Sequence, residues 1–197
     1  DDLMDAMHEL ARAEIEARAA EGKAHTEGLT GQELELRAER IGMAAIAYYL
    51  LKYTPRSSFE YDPRESIDFL GQTGPYCLYN YARTRNLLAR AGGEPAWDEA
   101  AVARLGSERE LAVVRQLMAF PAVVARAAQT LDPSKVADYL FELCRSFAFL
   151  FSDKAGHPIA TCEDEPLRRG RLLLVTAIGH TLRAGLALLG IEPLEKM

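Results

Sequence analysis

The chain of 197 residues holds only three cysteines and four histidines. Cys77, Cys144 and Cys162 are odd in number and lack metal-ligand spacing, so the sequence offers no disulfide framework and no thiolate metal site, which fits a reducing cytoplasm. His8, His25, His157 and His180 stand singly, and no Gly-rich phosphate loop follows a strand-like run. No apolar run reaches the ~18 residues of a membrane span, and the acidic start is unlike a signal peptide. Nucleophilic and acid–base chemistry find little support. Glu163-Asp164-Glu165 before Pro166 reads as the acidic N-terminus of a helix, His157-Pro158 as a surface loop, and Cys144 as an inert buried thiol.

An overall excess of positive charge is missing too: the formal net charge is −6. Its distribution is uneven. Residues 1 to 72 carry 15 acidic and 8 basic side chains, while residues 73 to 197 carry 14 and 15. The second part is therefore close to neutral, with local clusters at Arg83, Arg85 and Arg90 and at Arg168, Arg169 and Arg171. Such clusters can contact phosphates without a basic total. With 49% apolar residues, the chain is ordinary for a globular protein and long enough to bury a large core.

What is present is helical periodicity almost throughout, which predicts an all-α helical bundle. A first helix over 2–21, with Leu3, Met7, Leu10, Ala11 and Ile15 in near-helical register, ends at Gly22. The stretch 23–31 reads as a loop, and a second helix over about 31–53 stops at Thr54-Pro55. Phe59-Glu60-Tyr61 alternates like a short extended piece. A helix over about 74–91 ends at Gly92-Gly93, and a Trp97-Asp98-Glu99 turn leads to a helix near 107–119. Pro121 is expected to separate that helix from another over 121–130. Asp132 caps the next, with Val136, Leu140, Leu143, Phe147 and Phe151 at the helical period. The last helix, about 166–189, is apolar around most of its circumference and belongs at the centre of the bundle.

The segment from Gly71 to Arg83, Gly-Gln-Thr-Gly-Pro-Tyr-Cys-Leu-Tyr-Asn-Tyr-Ala-Arg, is the most informative. Thr73 or Gly74 can cap a helix whose first turn accepts Pro75. At about 100° per residue, Tyr76, Tyr79, Asn80 and Arg83 share one face, while Leu78, Tyr81, Ala82 and Leu88 lie on others. An aromatic surface beside a cation suits an unstacked nucleobase and its phosphate. It also suits protein association, where Tyr and Arg dominate hot spots, and the spacing leaves both open.

This string resembles the Gly-x-Thr-Gly-Pro-Tyr-x-x-Tyr-x-x-x-Arg segment of arginine–tRNA ligases, at the start of their C-terminal DALR-type anticodon-binding domain. Tyr139-Leu140-Phe141-Glu142-Leu143 after Leu131-Asp132-Pro133 is similar to the family's Tyr-Leu-Tyr-x-Leu helix. Leu189-Gly190-Ile191 through Pro193 and Met197 is similar to its closing Leu-Gly-Ile-x-x-Pro-x-x-Met, and Tyr61-Asp62-Pro63 with Phe69 stands where the family has a short Phe-Asp segment. The resemblance runs from about residue 35 to Met197.

The family's His-x-Gly-His and Lys-Met-Ser-Lys-like signatures are absent from this sequence. The resemblance thus implies a C-terminal piece of a larger ligase: a helical lead-in over 1–72 that connects to a catalytic domain, then an anticodon-binding bundle over 73–197. It implies tRNA(Arg) as partner, no cofactor in this chain, ATP and magnesium used by the parent enzyme, and a cytoplasmic monomer with no membrane role. The acidic lead-in is expected to pack on protein rather than on phosphate.

Site roles carried over from the family fall on Tyr76, Tyr79 and Arg83 of the tyrosine helix, on Phe151, where the family has a tyrosine, and on the C-terminal Met197. No catalytic or metal-binding residue is implied. Phe151 lacks the hydroxyl, so it could stack on a base without hydrogen-bonding it; packing with Phe147 and Phe149 is its other reading. Cys77-Leu78 stands where the family commonly has Leu-Gln, which removes a polar contact. Candidates for reading a base edge are Asn80, Arg83 and backbone groups at the C-terminus.

Overall fold

The computed structural model describes residues 2–22, 30–153 and 156–197, and no strand occurs among them. The loop expected over 23–31, with His25, lies mostly outside the described residues. Helix α1 (Asp2–Ala20) turns its buried Met7, Ala11 and Ile15, four residues apart, onto α2 (Gly31–Leu51). The start of α2 is set by a reciprocal cap: the Thr30 hydroxyl accepts from the Glu33 amide at 3.2 Å, and the Thr30 amide donates to Glu33 Oε2 at 2.8 Å.

After α2 the chain follows an aromatic corner, and 59–61, the short extended piece, pairs with no strand among the described residues. Tyr53 and Phe59 stack at 4.3 Å, Tyr61 meets the Tyr49 ring edge-on at 5.0 Å, and the Tyr49 hydroxyl donates to Glu60 O at 3.1 Å. The short α3 (Pro63–Ser66), capped by Asp62, then leads to α4 (Gly74–Arg90), the tyrosine helix. Thr73 is its cap, accepting from the Tyr76 amide at 3.2 Å. Gly74 is required for a separate reason. A Cβ there would lie 2.1 Å from the Ala44 carbonyl oxygen, so α4 begins with its backbone against α2. Gly92 and Gly93, at φ 93° and 116°, end it.

Asp98 opens a further short helix, α5 (Glu99–Val102), where the sequence reads only as a turn. Two expected helices over 107–119 and 121–130 are one, α6 (Glu108–Thr130), with Pro121 inside it. Pro121 is exposed, so the Leu117 carbonyl that it leaves without an amide partner can turn to water. Leu131, at φ 51°, reverses the chain. Asp132 still serves α7 (Ser134–Ser152), accepting from the Ser134 amide at 3.2 Å and its hydroxyl at 2.6 Å, but the helix begins after Pro133.

Helix α8 (Glu165–Leu188) is capped by Asp164 and packs on α4, α5, α6 and α7. Its Leu182 and Leu186 are fully buried together with Leu140, Leu143 and Phe147 of α7 and Leu78 of α4. Each such side chain contributes roughly 1.5–3 kcal/mol by leaving water. The buried residues of α1 and α2 belong to the same continuous core. By length and composition α6 and α8 could each span a bilayer, although neither holds an uninterrupted apolar run of that length; α8 is the buried core helix of the bundle.

Candidate nucleic-acid interface

The tyrosine face of α4 is built by three packing decisions. Cys77, Leu78 and Tyr81 are buried, which rotates Tyr76, Tyr79 and Arg83 to the rim, each half-buried. Asn80 shares their angular sector but is fully buried: its side-chain amide donates to Tyr76 O at 2.9 Å, and its oxygen accepts from Arg83 at 3.4 Å. Asn80 therefore positions Arg83 and does not face a ligand. Tyr76 meets Phe141 of α7 edge-on at 5.7 Å, and burial pushes its hydroxyl pKa up.

Arg83 joins the elements. Its guanidinium carbon sits 4.0 Å from the centre of the Phe151 ring, 5.3 Å from Tyr79 and 5.6 Å from Phe147. No carboxylate pairs with it among the described residues. Burial lowers its pKa, opposed by the nearby Tyr79 and Tyr76. The result is a partly desolvated cation framed by rings, with unspent N–H donors and no anion of its own.

Met197 reaches the other side of Tyr79. The two line a narrow recess with Ile15 and Arg18 of α1, Arg37 and Ile41 of α2, and Phe69. The tail is brought back by Gly190, at φ 71°, and anchored by buried Ile191 and Leu194. Arg18 lies over Phe69 at 4.3 Å and near Tyr79 at 5.7 Å, so the Tyr79 ring has two cations beside it, Arg18 and Arg83. Tyr79, Arg83, Phe151 and Met197 are thus gathered about the middle of α4, with Tyr76 one turn away beside Phe141. Arg18 was not apparent in the sequence. It reaches the site across 61 residues of chain, and no local pattern marks that contact.

The three phenylalanines at the end of α7 separate. Phe147 is buried, Phe149 is exposed under the guanidinium of Arg109 at 3.9 Å, and Phe151 lies between these extremes. The basic clusters separate too. Arg85 is 2.5 Å from Glu94, Arg169 is 3.2 Å from Asp98, and Arg171 is buried on Glu110 at 2.7 Å, so Arg171 is a core residue and no phosphate ligand. His157, expected at the surface, is largely covered and bonded through Nδ1 to Asp153 at 2.9 Å. The Cys144 thiol is fully buried, and burial with the neighbouring Cys77 pushes its pKa well up, the reverse of an activated thiolate.

The class that this arrangement defines is a helical bundle with an aromatic and cationic patch. A profile of the DALR anticodon binding domain matches residues 77–197. The chain belongs to that family. It is similar over its whole length, at 35% identity, to the arginine–tRNA ligase of Porphyromonas gingivalis and to that of Treponema pallidum, and it spans about a third of the length of each, 32% and 33%. Among solved structures, the arginyl-tRNA synthetase of Thermus thermophilus superimposes with a TM-score of 0.86 at 29% identity, covering 100% of this chain and 32% of that one. The Plasmodium falciparum arginyl-tRNA synthetase, at 20% identity and a TM-score of 0.78, shares the fold.

Proposed function

We propose that this chain is the tRNA anticodon-binding portion of an arginine–tRNA ligase, positioning tRNA(Arg) while ATP-dependent aminoacylation proceeds on a catalytic domain outside this chain. The observation that carries the reading is Arg83: a half-buried guanidinium without a carboxylate, stacked on Phe151 and beside Tyr79. Arginine codons share a middle guanine, so their tRNAs share a middle anticodon cytosine. Arg83 offers only donors, which match the adjacent N3 and O2 acceptors of that base, while Tyr79 and Phe151 supply ring faces. Tyr76 extends the aromatic surface, and Met197 closes the recess behind Tyr79.

In this reading residues 1–72 form the lead-in toward the catalytic domain and residues 73–197 form the binding bundle. ATP and magnesium belong to the catalytic domain. In this reading the chemical steps belong there too, and this chain contributes binding and positioning. A cytoplasmic monomer without a membrane role completes the reading.

Titration with transcripts of tRNA(Arg) and of a tRNA for another amino acid tests it. Tighter binding of the first is expected, and Tyr79→Ala should weaken it by roughly 1–3 kcal/mol with helical content kept. Equal, weak binding to both would favour a protein-association bundle.

A further inference from the structure

Beyond Arg83, α4 runs two more turns to Arg90, about 10 Å along its axis. Its outer side borders two adjoining grooves. One, of about 220 Å³, runs from Phe151 past Leu87 and His157 to Arg90 and Ala160. The other, of about 410 Å³, is lined by Arg90, Pro95, Ala160, Glu165, Arg168 and Arg169. Arg90 and Ala160 line both, so the two grooves adjoin between Phe151 and the start of α8.

The cations along it are engaged unequally. Arg169 is held by Asp98 at 3.2 Å and by the Ala96 carbonyl at 3.3 Å. Arg90 and Arg168 pair with no carboxylate among the described residues, and Glu165 is the one carboxylate lining the larger groove. Between Ala96 and Asp98, the two residues that hold Arg169, stands Trp97, with 75% of its surface exposed. An indole left in water costs hydration free energy, and its chain neighbours on both sides tie it to Arg169 of the larger groove.

We propose that this groove is a second RNA site, which takes the sugar–phosphate backbone flanking the bases held at Tyr79 and Phe151: phosphates on Arg90 and Arg168, and an unstacked base on Trp97. The proposal rests on the RNA-binding reading above. Its chemistry differs from that of the base face. Phosphate contacts carry no sequence information, so this site adds affinity equally for any RNA strand that reaches it.

The test compares the chain with its Arg90→Gln/Arg168→Gln variant, using anticodon stem-loop RNAs of tRNA(Arg) and of another tRNA over 50–200 mM salt. Each lost phosphate contact should lower the slope of log affinity against log salt by about one. The variant should therefore lose about tenfold less affinity than the parent across that range, by the same factor for both RNAs, with an unchanged melting temperature. Trp97 is the single tryptophan of the chain, so saturating RNA should also quench its emission directly. An unchanged salt slope in the variant overturns the groove while leaving the base face standing, and unchanged Trp97 emission overturns the stacking contact. A parent chain that binds neither RNA overturns the anticodon reading and the groove with it.

Discussion

Arg83 and Arg171 are both drawn out of water, and the chain treats them differently. Arg171, 6% exposed, donates Nε to Glu110 at 2.7 Å and a terminal N–H to the Pro158 carbonyl at 2.8 Å, while Glu110 also accepts from the Ser107 amide at 2.9 Å. Arg83 receives rings and one amide oxygen, with no anion. Burying a charge costs free energy unless a partner offsets it. At Arg171 the chain supplies a carboxylate; at Arg83 it supplies rings and an amide oxygen, and the proposed RNA contact is what would complete the offset.

The largest effect expected from breaking this contrast is at the paired arginine. Glu110→Ala leaves Arg171 buried alone and should cost about 3–5 kcal/mol of folding stability, measured by denaturant unfolding, with RNA affinity of the folded protein little changed. The same pair predicts a pH dependence. Burial pushes the Glu110 carboxyl up, but its bonds to Arg171, Ser107 and Gly106 outweigh that and the net shift is downward. A depressed carboxylate contributes stability that is present above its ordinary unfolded pKa and is lost as pH falls through the folded value. The parent should therefore lose stability below the usual carboxylate range, with a steeper slope than Glu110→Ala.

Next in size is the unpaired arginine. Arg83→Met keeps an apolar stem against Phe151 and removes the charge, so melting should move little, while RNA binding should weaken by about 1.5–3 kcal/mol, the worth of charge-assisted hydrogen bonds. A large loss of stability with RNA affinity intact would place Arg83 in the same class as Arg171 and remove the contrast.

Much of the architecture is legible in local signals. Thr73, Pro75 and the Gly92-Gly93 pair delimit α4, the four-residue spacing of Met7, Ala11 and Ile15 sets the inner face of α1, and the periodic apolar residues of α7 and α8 are indeed the core. The family's spacing likewise leads to Tyr79, Arg83, Phe151 and Met197, which converge. Where the local reading fails, tertiary contact decides. Pro121 does not interrupt α6 because that side of the helix faces solvent. Angular position puts Asn80 beside Tyr76 and Tyr79, but the residue sits at the edge of that sector and turns inward to hold Arg83. Arg171 looks like one of three surface arginines until Glu110, 61 residues away, is brought against it. Arg18 and Phe69 reach the Tyr79 ring only through the packing of α1 and the segment after α3 against α4.

The most direct test of the account is the affinity of the chain for a tRNA(Arg) anticodon stem-loop and for the same RNA with the middle anticodon cytosine replaced by uridine. The two share backbone and length, so phosphate contacts cancel in the ratio. If Arg83, Tyr79 and Phe151 hold and read that base, the replacement weakens binding by about 1.4 kcal/mol or more, tenfold at least, and Arg83→Met brings the ratio toward one. Equal affinity of the parent chain for both RNAs would contradict it.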